Sequence, residues 1–256
     1  MKIKNIEENY FAVCRYWGSF NSSLRQFDSI GAISTGLPVA DINWVFNEKP
    51  LNNDSERHVY EIKKYYEKLN LRFWWWVYPC GQSQKTKRIL QDAGLRFFTK
   101  VPCMAAKLNE SFLDRNLMDE IKILPVKTQK DLIVWKDTSF YGFEMPARAR
   151  KQYGAFVSSF KLDAQSPQKL FLAYRDEKPV ATSLLFRHEN TAGIYYVSTI
   201  PAYRNKGCGL RITQAAMQSA KKSGFTDVIL QATPMGLRIY KRAGFTQYCQ
   251  AEIYKN

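Results

Sequence analysis

Two stretches of this chain carry one pattern. "FWWWVYP" followed by "KRILQDAGLRFF" (87–98) matches "DVILQATP" followed by "LRIYKRAGFTQY" (237–248). Without gaps, Arg88, Ile89, Ala93 and Gly94 fall on Arg238, Ile239, Ala243 and Gly244, while Leu95 meets Phe245 and Phe98 meets Tyr248. Each stretch reads as an apolar strand, a short helix and a glycine that stops the helix. The offset of 150 residues matches one small domain, so two copies are expected, at 1–115 and 119–256. The boundary falls in the polar "NESFLDRNLM", Asn109–Met118.

The second copy is the easier to follow. "IKILPVKT" reads as a strand, and a helix then runs from Gln129 toward Phe140. "YGFEMP" breaks it, and "ARARKQYGAFVSSF" reads as a second helix. "QKLFLAYR", "VATSLLFRH" and "GIYYVST" are β-rich runs joined by the tight turns "DEKP" and "ENTAG", which predicts antiparallel hairpins. A helix ending at Gly224, the strand "DVILQAT", a short helix closed by Gly244 and a last strand near "QYCQAEIYK" complete the order. The expected fold is mixed α/β: two domains, each a mostly antiparallel twisted sheet flanked by helices.

Composition narrows the function. At 45% hydrophobic and 14% aromatic, the 256 residues have the means to build cores. The net charge of +15 comes from dispersed lysines, which reads as solvated faces rather than a nucleic-acid surface. No apolar run approaches the ~18 residues of a membrane span. "MKIKNIEENYF" lacks the apolar core of a secretory signal, so a cytoplasmic protein is expected. Five scattered cysteines without a C-x-x-C read as reduced thiols. His58 and His188 have no partner at ligand spacing, so no metal site is expected. Monomer and homodimer both stay open.

The chemistry concentrates in "YRNKGCG", Tyr203–Gly209, between the strand "AGIYYVSTIP" and the helix "LRITQAAMQSAKKSG". Amides at a helix start lack intrahelical partners and sit at the positive end of the dipole. Glycines let the loop curl and let an anion reach the main chain, and Arg204, Lys206 and Arg211 add positive charge. A phosphate or pyrophosphate suits the site; an ordinary strand-to-helix turn is the alternative. No Lys-Ser/Thr follows the last glycine, which excludes a P-loop, and the third glycine of a dinucleotide fingerprint is missing.

On these residues the chain resembles the GNAT (Gcn5-related N-acetyltransferase) superfamily. "RNKGCG" fits that family's Arg/Gln-x-x-Gly-x-Gly/Ala signature, and "DVILQATPMGLRIYKRAGFTQY" is similar to its fifth strand and following helix. The resemblance runs from about 121 to 255, and the paired halves look like tandem GNAT proteins with a degenerate first copy. Residues 1–115 contain no equivalent of "RNKGCG", and Leu90 stands where the later copy has Tyr240.

The resemblance implies an acyl-CoA-dependent N-acyltransferase, moving acetyl from acetyl-CoA to an unidentified primary amine by direct attack. It places the diphosphate on Arg204, Asn205, Lys206, Gly207, Cys208 and Gly209. Val197 and Thr199 would pair with the pantetheine arm, and Thr233 would complete the cofactor set. An N–H near Val197 or Ser198 would meet the thioester oxygen, with Ser198 and Tyr196 lining the acceptor side. Tyr240 is expected as general acid toward the departing thiolate. Glu144, in the "YGFEMP" break, is the candidate base, ahead of Asp137. A non-catalytic acyl-CoA sensor is the first alternative. A Fem-like aminoacyl-tRNA transferase is the second, and the intact loop argues against it.

Overall fold

The structure, a computed structural model, describes residues 2–20, 23–108 and 120–256. The first half of the chain forms α1 (Ile3–Gly18), β1 (Leu24–Phe27), β2 (Ile30–Ile33), β3 (Trp44–Asn47), α2 (Asn53–Lys68), β4 (Trp74–Val77), α3 (Gln84–Asp92) and β5 (Arg96–Lys107). The second half forms β6 (Lys122–Pro125), α4 (Gln129–Gly142), α5 (Arg150–Ser158), β7 (Gln168–Arg175), β8 (Lys178–His188), β9 (Thr191–Thr199), α6 (Cys208–Lys222), β10 (Asp227–Gln231), α7 (Leu237–Arg242) and β11 (Thr246–Lys255). The architecture is mixed α/β with mostly antiparallel pairing, as the strand and turn pattern predicts.

The chain forms two compact units. The larger holds Met1–Asn9 and Cys103–Tyr248, and the smaller holds Tyr10–Pro102 and Cys249–Asn256. The division expected from the sequence, 1–115 and 119–256, differs at three segments: 1–9 and 103–108 belong to the larger unit, and 249–256 to the smaller. The expected boundary, 109–118, lies outside the described residues.

In the smaller unit the strand order is β1-β2-β3-β4-β11, with β3–β4 the parallel pair. In the larger it is β6-β7-β8-β9-β10-β5, with β9–β10 parallel. One succession therefore occurs twice: hairpin, third strand, helix, parallel strand, helix. The strand after the last helix differs in destination. Cys103–Lys107 of β5 pair with Gln231–Asp227 of β10, completing the larger unit's sheet. Glu252–Lys255 of β11 pair with Val77–Trp74 of β4, completing the smaller one's.

Burial explains the elements. On α2, Val59, Ile62 and Tyr66 recur at three- and four-residue spacing and enter the smaller unit's core with Val45, Trp75 and Leu90. In the larger unit β8 is buried without a break from Val180 to Phe186, as a strand covered on both faces must be. Ile212, Ala216, Met217 and Ala220 of α6 join the core on one side. On α4, Trp135 is buried and its Nε1 donates to the Ser183 carbonyl at 3.3 Å.

α1 adds a polar anchor that the sequence pattern does not show. Asn9 is fully buried; its Nδ2 donates to the Thr191 carbonyl at 2.9 Å and its Oδ1 accepts from the Tyr195 hydroxyl at 2.8 Å. Gly193 lies between them, where a Cβ would strike Asn9 Oδ1 and the Tyr195 ring. Asn9 thus fixes the first half of β9. Asn9→Ala leaves the buried Thr191 carbonyl and the half-buried Tyr195 hydroxyl without these bonds, which typically costs about 2 kcal/mol. The expected result is a lower urea midpoint at unchanged m-value, read by circular dichroism.

Candidate active site

The site begins with a bulge in β9. Thr182 of β8 faces Ser198 and Leu184 faces Tyr195, so Tyr196 and Val197 together oppose Ser183. Tyr196 takes a left-handed backbone, φ 51°, which is uncommon for an aromatic residue and characteristic of a bulge built for a purpose. Its ring sits among Trp135, Phe143 and Phe160, at centroid distances of 5.4, 5.8 and 6.0 Å. The Thr182 hydroxyl donates to the Tyr196 carbonyl at 3.0 Å and lies 2.7 Å from the Ser198 hydroxyl, pinning the bulge to β8.

Ahead of the bulge β9 has already left its other neighbour. The pairing with β10 runs through Val228↔Ala192 and Ile229↔Gly193, and the register stops there, six residues before β9 ends. The Ile200 N–H bonds the Val180 carbonyl, so by the alternation of an antiparallel ladder Ser198 also turns its main chain to β8. Val197 and Thr199 therefore present theirs on the β10 side, where the strands have parted. Val197 packs its side chain against the core shared with Leu237 and Ile239.

The loop after β9 curls through two left-handed residues, Asn205 at φ 61° and Gly207 at φ 82°. Gly207 is the N-cap of α6 and contributes no side-chain bond. The first intrahelical bond is from the Arg211 N–H to the Gly207 carbonyl, so the amides of Cys208, Gly209 and Leu210 precede the helical ladder. Asn205, Lys206 and Gly207 are exposed, and the Lys206 ammonium lies 5.3 Å from the Tyr203 ring centre. A Cβ on Gly209 would sit 3.3 Å from Ile239 Cδ1 and 3.5 Å from Thr199 Oγ1, so α7 and the end of β9 both border the start of α6. Free amides, the helix dipole and an exposed ammonium suit a diphosphate.

The remaining residues fall into place around this frame. Tyr240, on α7, is buried against Gly236 and Phe245, and burial pushes its phenol above the usual range. Thr233 caps the α7 turn: its Oγ1 accepts from the Gly236 N–H at 3.2 Å. Ser198 is buried where α4 ends, since a Cβ on Gly142 would strike its hydroxyl. Arg204 turns inward from the loop: its Nε donates to the Thr199 carbonyl at 3.2 Å, and one Nη lies 2.7 Å from Glu144 Oε2. Asp137 pairs with Arg150 at 3.4 Å on the exposed side of α4. Gly142 and Thr182 were not singled out by the sequence; the place of Gly142 within the "YGFEMP" break was the one visible sign.

The equivalent junction in the smaller unit is built differently. β3 and β4 stay paired along their whole length, Trp44↔Trp74 through Asn47↔Val77. Asn52 caps α2 with its own side chain, accepting from the Ser55 N–H at 3.0 Å, and Ser55 Oγ accepts from the Asn52 N–H at 3.1 Å. Asp54 and Glu56 occupy the first turn.

Comparison with known proteins agrees with this frame. Residues 131–245 match the acetyltransferase (GNAT) family, and that segment is a GNAT domain. A GCN5-related N-acetyltransferase from Kribbella flavida shares the fold at TM-score 0.72 and 16% identity, over 97% of this chain and 95% of that one. A functionally unknown conserved protein from Staphylococcus epidermidis gives 0.66 at 13% identity, covering 91% and 92%. A tandem GNAT protein from the clavulanic acid biosynthesis pathway gives 0.60 at 10% identity, covering 89% and 78%. At these identities the likenesses establish the fold. No curated protein sequence matches the chain. Among the described residues no group of acidic, His or Cys side chains is placed to hold a metal, and no helix is long and apolar enough to cross a membrane.

Cys208 is buried in the first turn of α6, and burial raises its thiol above the ordinary range, which lowers the thiolate fraction at any given pH. At pH 8, iodoacetamide is expected to label Cys208 at least tenfold more slowly in the folded protein than in urea, measured by peptide mass spectrometry. Equal rates would mean that the loop does not cover the sulfur.

Proposed function

We propose that the GNAT domain is an acyl-CoA-dependent N-acyltransferase that takes acetyl from acetyl-CoA and passes it directly to a primary amine. The parting of β9 from β10 carries this reading. A bare strand edge beside an uncapped, basic helix start suits a ligand with an extended amide-bearing arm and a diphosphate. In the smaller unit both features are closed, by a full β3–β4 ladder and by Asn52 with two acidic neighbours. This supports a tandem arrangement in which the first copy keeps the scaffold without a cofactor site.

When bound, acetyl-CoA supplies an activated acyl group on a thiol leaving group. The main chain of Asn205–Leu210 and the Lys206 ammonium hold the diphosphate. Val197 and Thr199 align the arm along the β9 edge, and a main-chain N–H near Val197 steadies the negative charge that gathers on the thioester oxygen. Holding amine and thioester side by side supplies much of the rate. Ser198, buried on Thr182, acts by fixing the bulge. Tyr240 donates its proton, or a hydrogen bond, to the sulfur as the carbon–sulfur bond breaks. The acceptor's proton leaves to water or to Glu144, whose carboxylate stands at the end of α4. A cytoplasmic location fits this use of acetyl-CoA.

Release of free thiol from acetyl-CoA across a panel of primary amines tests the activity. Saturable binding with no thiol release from any amine would leave a sensor. Because burial raises the Tyr240 phenol, it keeps its proton above pH 10, so kcat should not fall between pH 9 and 10. Tyr240→Phe is expected to lower kcat at least tenfold while the Kd for CoA stays within threefold; unchanged turnover at every pH would make the residue mere packing. Gly209→Glu brings bulk and negative charge to the helix start and should weaken CoA at least a hundredfold by calorimetry. Unaltered affinity would refute the diphosphate assignment.

A further inference from the structure

The motif points Arg204 at a phosphate, but its side chain goes elsewhere. Nε donates to the Thr199 carbonyl at 3.2 Å, and Nη2 donates to the Gly142 carbonyl at 3.0 Å and to Glu144 Oε2 at 2.7 Å. The Arg204 side chain is 26% exposed and the Glu144 side chain 59%, so the carboxylate reaches in to a cation already docked on the scaffold. Gly142 ends α4, where the last carbonyls lack intrahelical donors and a cation is favoured by the dipole.

Glu144 occupies an unusual slot. The α4 turn closes through Glu144 N–H to the Tyr141 carbonyl and Met145 N–H to the Phe140 carbonyl, both 3.1 Å, with Glu144 left-handed at φ 51°. That position ordinarily goes to glycine, and a side chain there costs about 1 kcal/mol. What glutamate supplies and glycine cannot is a partner for Arg204. The backbone of Arg204 meanwhile belongs to the curled loop, its N–H bonded to the Pro201 carbonyl at 3.2 Å. One residue therefore joins three places: the loop, the end of β9 and the segment after α4.

We propose that Arg204 is a positioning residue that locks segment 142–146 to the cofactor loop, so that gripping a diphosphate stiffens the acceptor side of the site. The proposal rests on the acyl-CoA reading for its ligand. Ordering one site lowers the entropy lost when a second ligand binds, so cofactor occupancy favours acceptor binding. Arg204 does this through Nε and Nη2, which serve Thr199, Gly142 and Glu144 rather than the phosphates.

CoA itself is the probe, with calorimetry and hydrogen exchange by mass spectrometry on wild type, Arg204→Met and Glu144→Gly. Glycine fits the left-handed turn, so Glu144→Gly removes the carboxylate while keeping the fold. Saturating CoA is expected to slow exchange of amides 142–145 at least fivefold in wild type. Both variants should bind CoA within threefold of wild type and lose that slowing. A loss of CoA affinity of thirtyfold or more in Arg204→Met, with a shallower salt dependence, would make Arg204 a phosphate ligand and overturn the proposal. Slowing that persists in Glu144→Gly would overturn it equally. If wild type does not bind CoA, the acyl-CoA reading falls by itself. Unliganded exchange still decides the lock: faster exchange of amides 142–145 in Arg204→Met upholds it, and identical rates sink it.

Discussion

Everything at the candidate site depends on two parallel strands ceasing to pair. β9 and β10 share a ladder at Ala192 and Gly193 and then separate, while β9 continues along β8 to Thr199. A strand edge that loses its ladder leaves main-chain groups in need of other partners, and here Arg204 takes the Thr199 carbonyl. The bulge lies within the parted stretch. It adds a residue at Tyr196–Val197 and is held by aromatic packing on one side and by Thr182 on the other. The start of α6, the Tyr240 helix and the end of α4 all border the last residues of β9.

The two units show how one topology serves two ends. Both carry a third strand leading into a helix beside a parallel fourth strand, and in both a glycine stops the following helix, at Gly94 and Gly244. The difference lies in a few side chains. Asn52, Asp54 and Glu56 satisfy and oppose the positive end of α2, whereas α6 starts on a bare Gly207 with Lys206 beside it. A helix start that caps itself has little use for an anion; one left open invites it.

Much of this was legible in the sequence. The β-rich runs and turns of the second half became β7, β8 and β9, and "YRNKGCG" does join a strand to a helix. Periodicity reports burial, and glycine reports unusual backbone, so both survive the step to three dimensions. The destinations of β5 and β11 did not, because a strand's pattern tells which face is buried and says nothing about which edge it joins. Asn9 gave no signal, since a polar residue on a helix usually meets water. Arg204 was found for its charge, yet its direction depends on Gly142 and Glu144, some 60 positions away along the chain.

The crossing of the last strands bears on how the chain is made. A ribosome delivers residues in order, and early domains commonly fold as they emerge. Here Val77 of β4 pairs with Glu252, synthesised 175 residues later. At about 5–20 residues per second, the sheet of the smaller unit stays open for roughly ten to thirty-five seconds of translation. During that time its tryptophan-rich strand is paired on the β3 side alone and its other edge is open, which makes this stage, more than the finished protein, the natural customer for a chaperone.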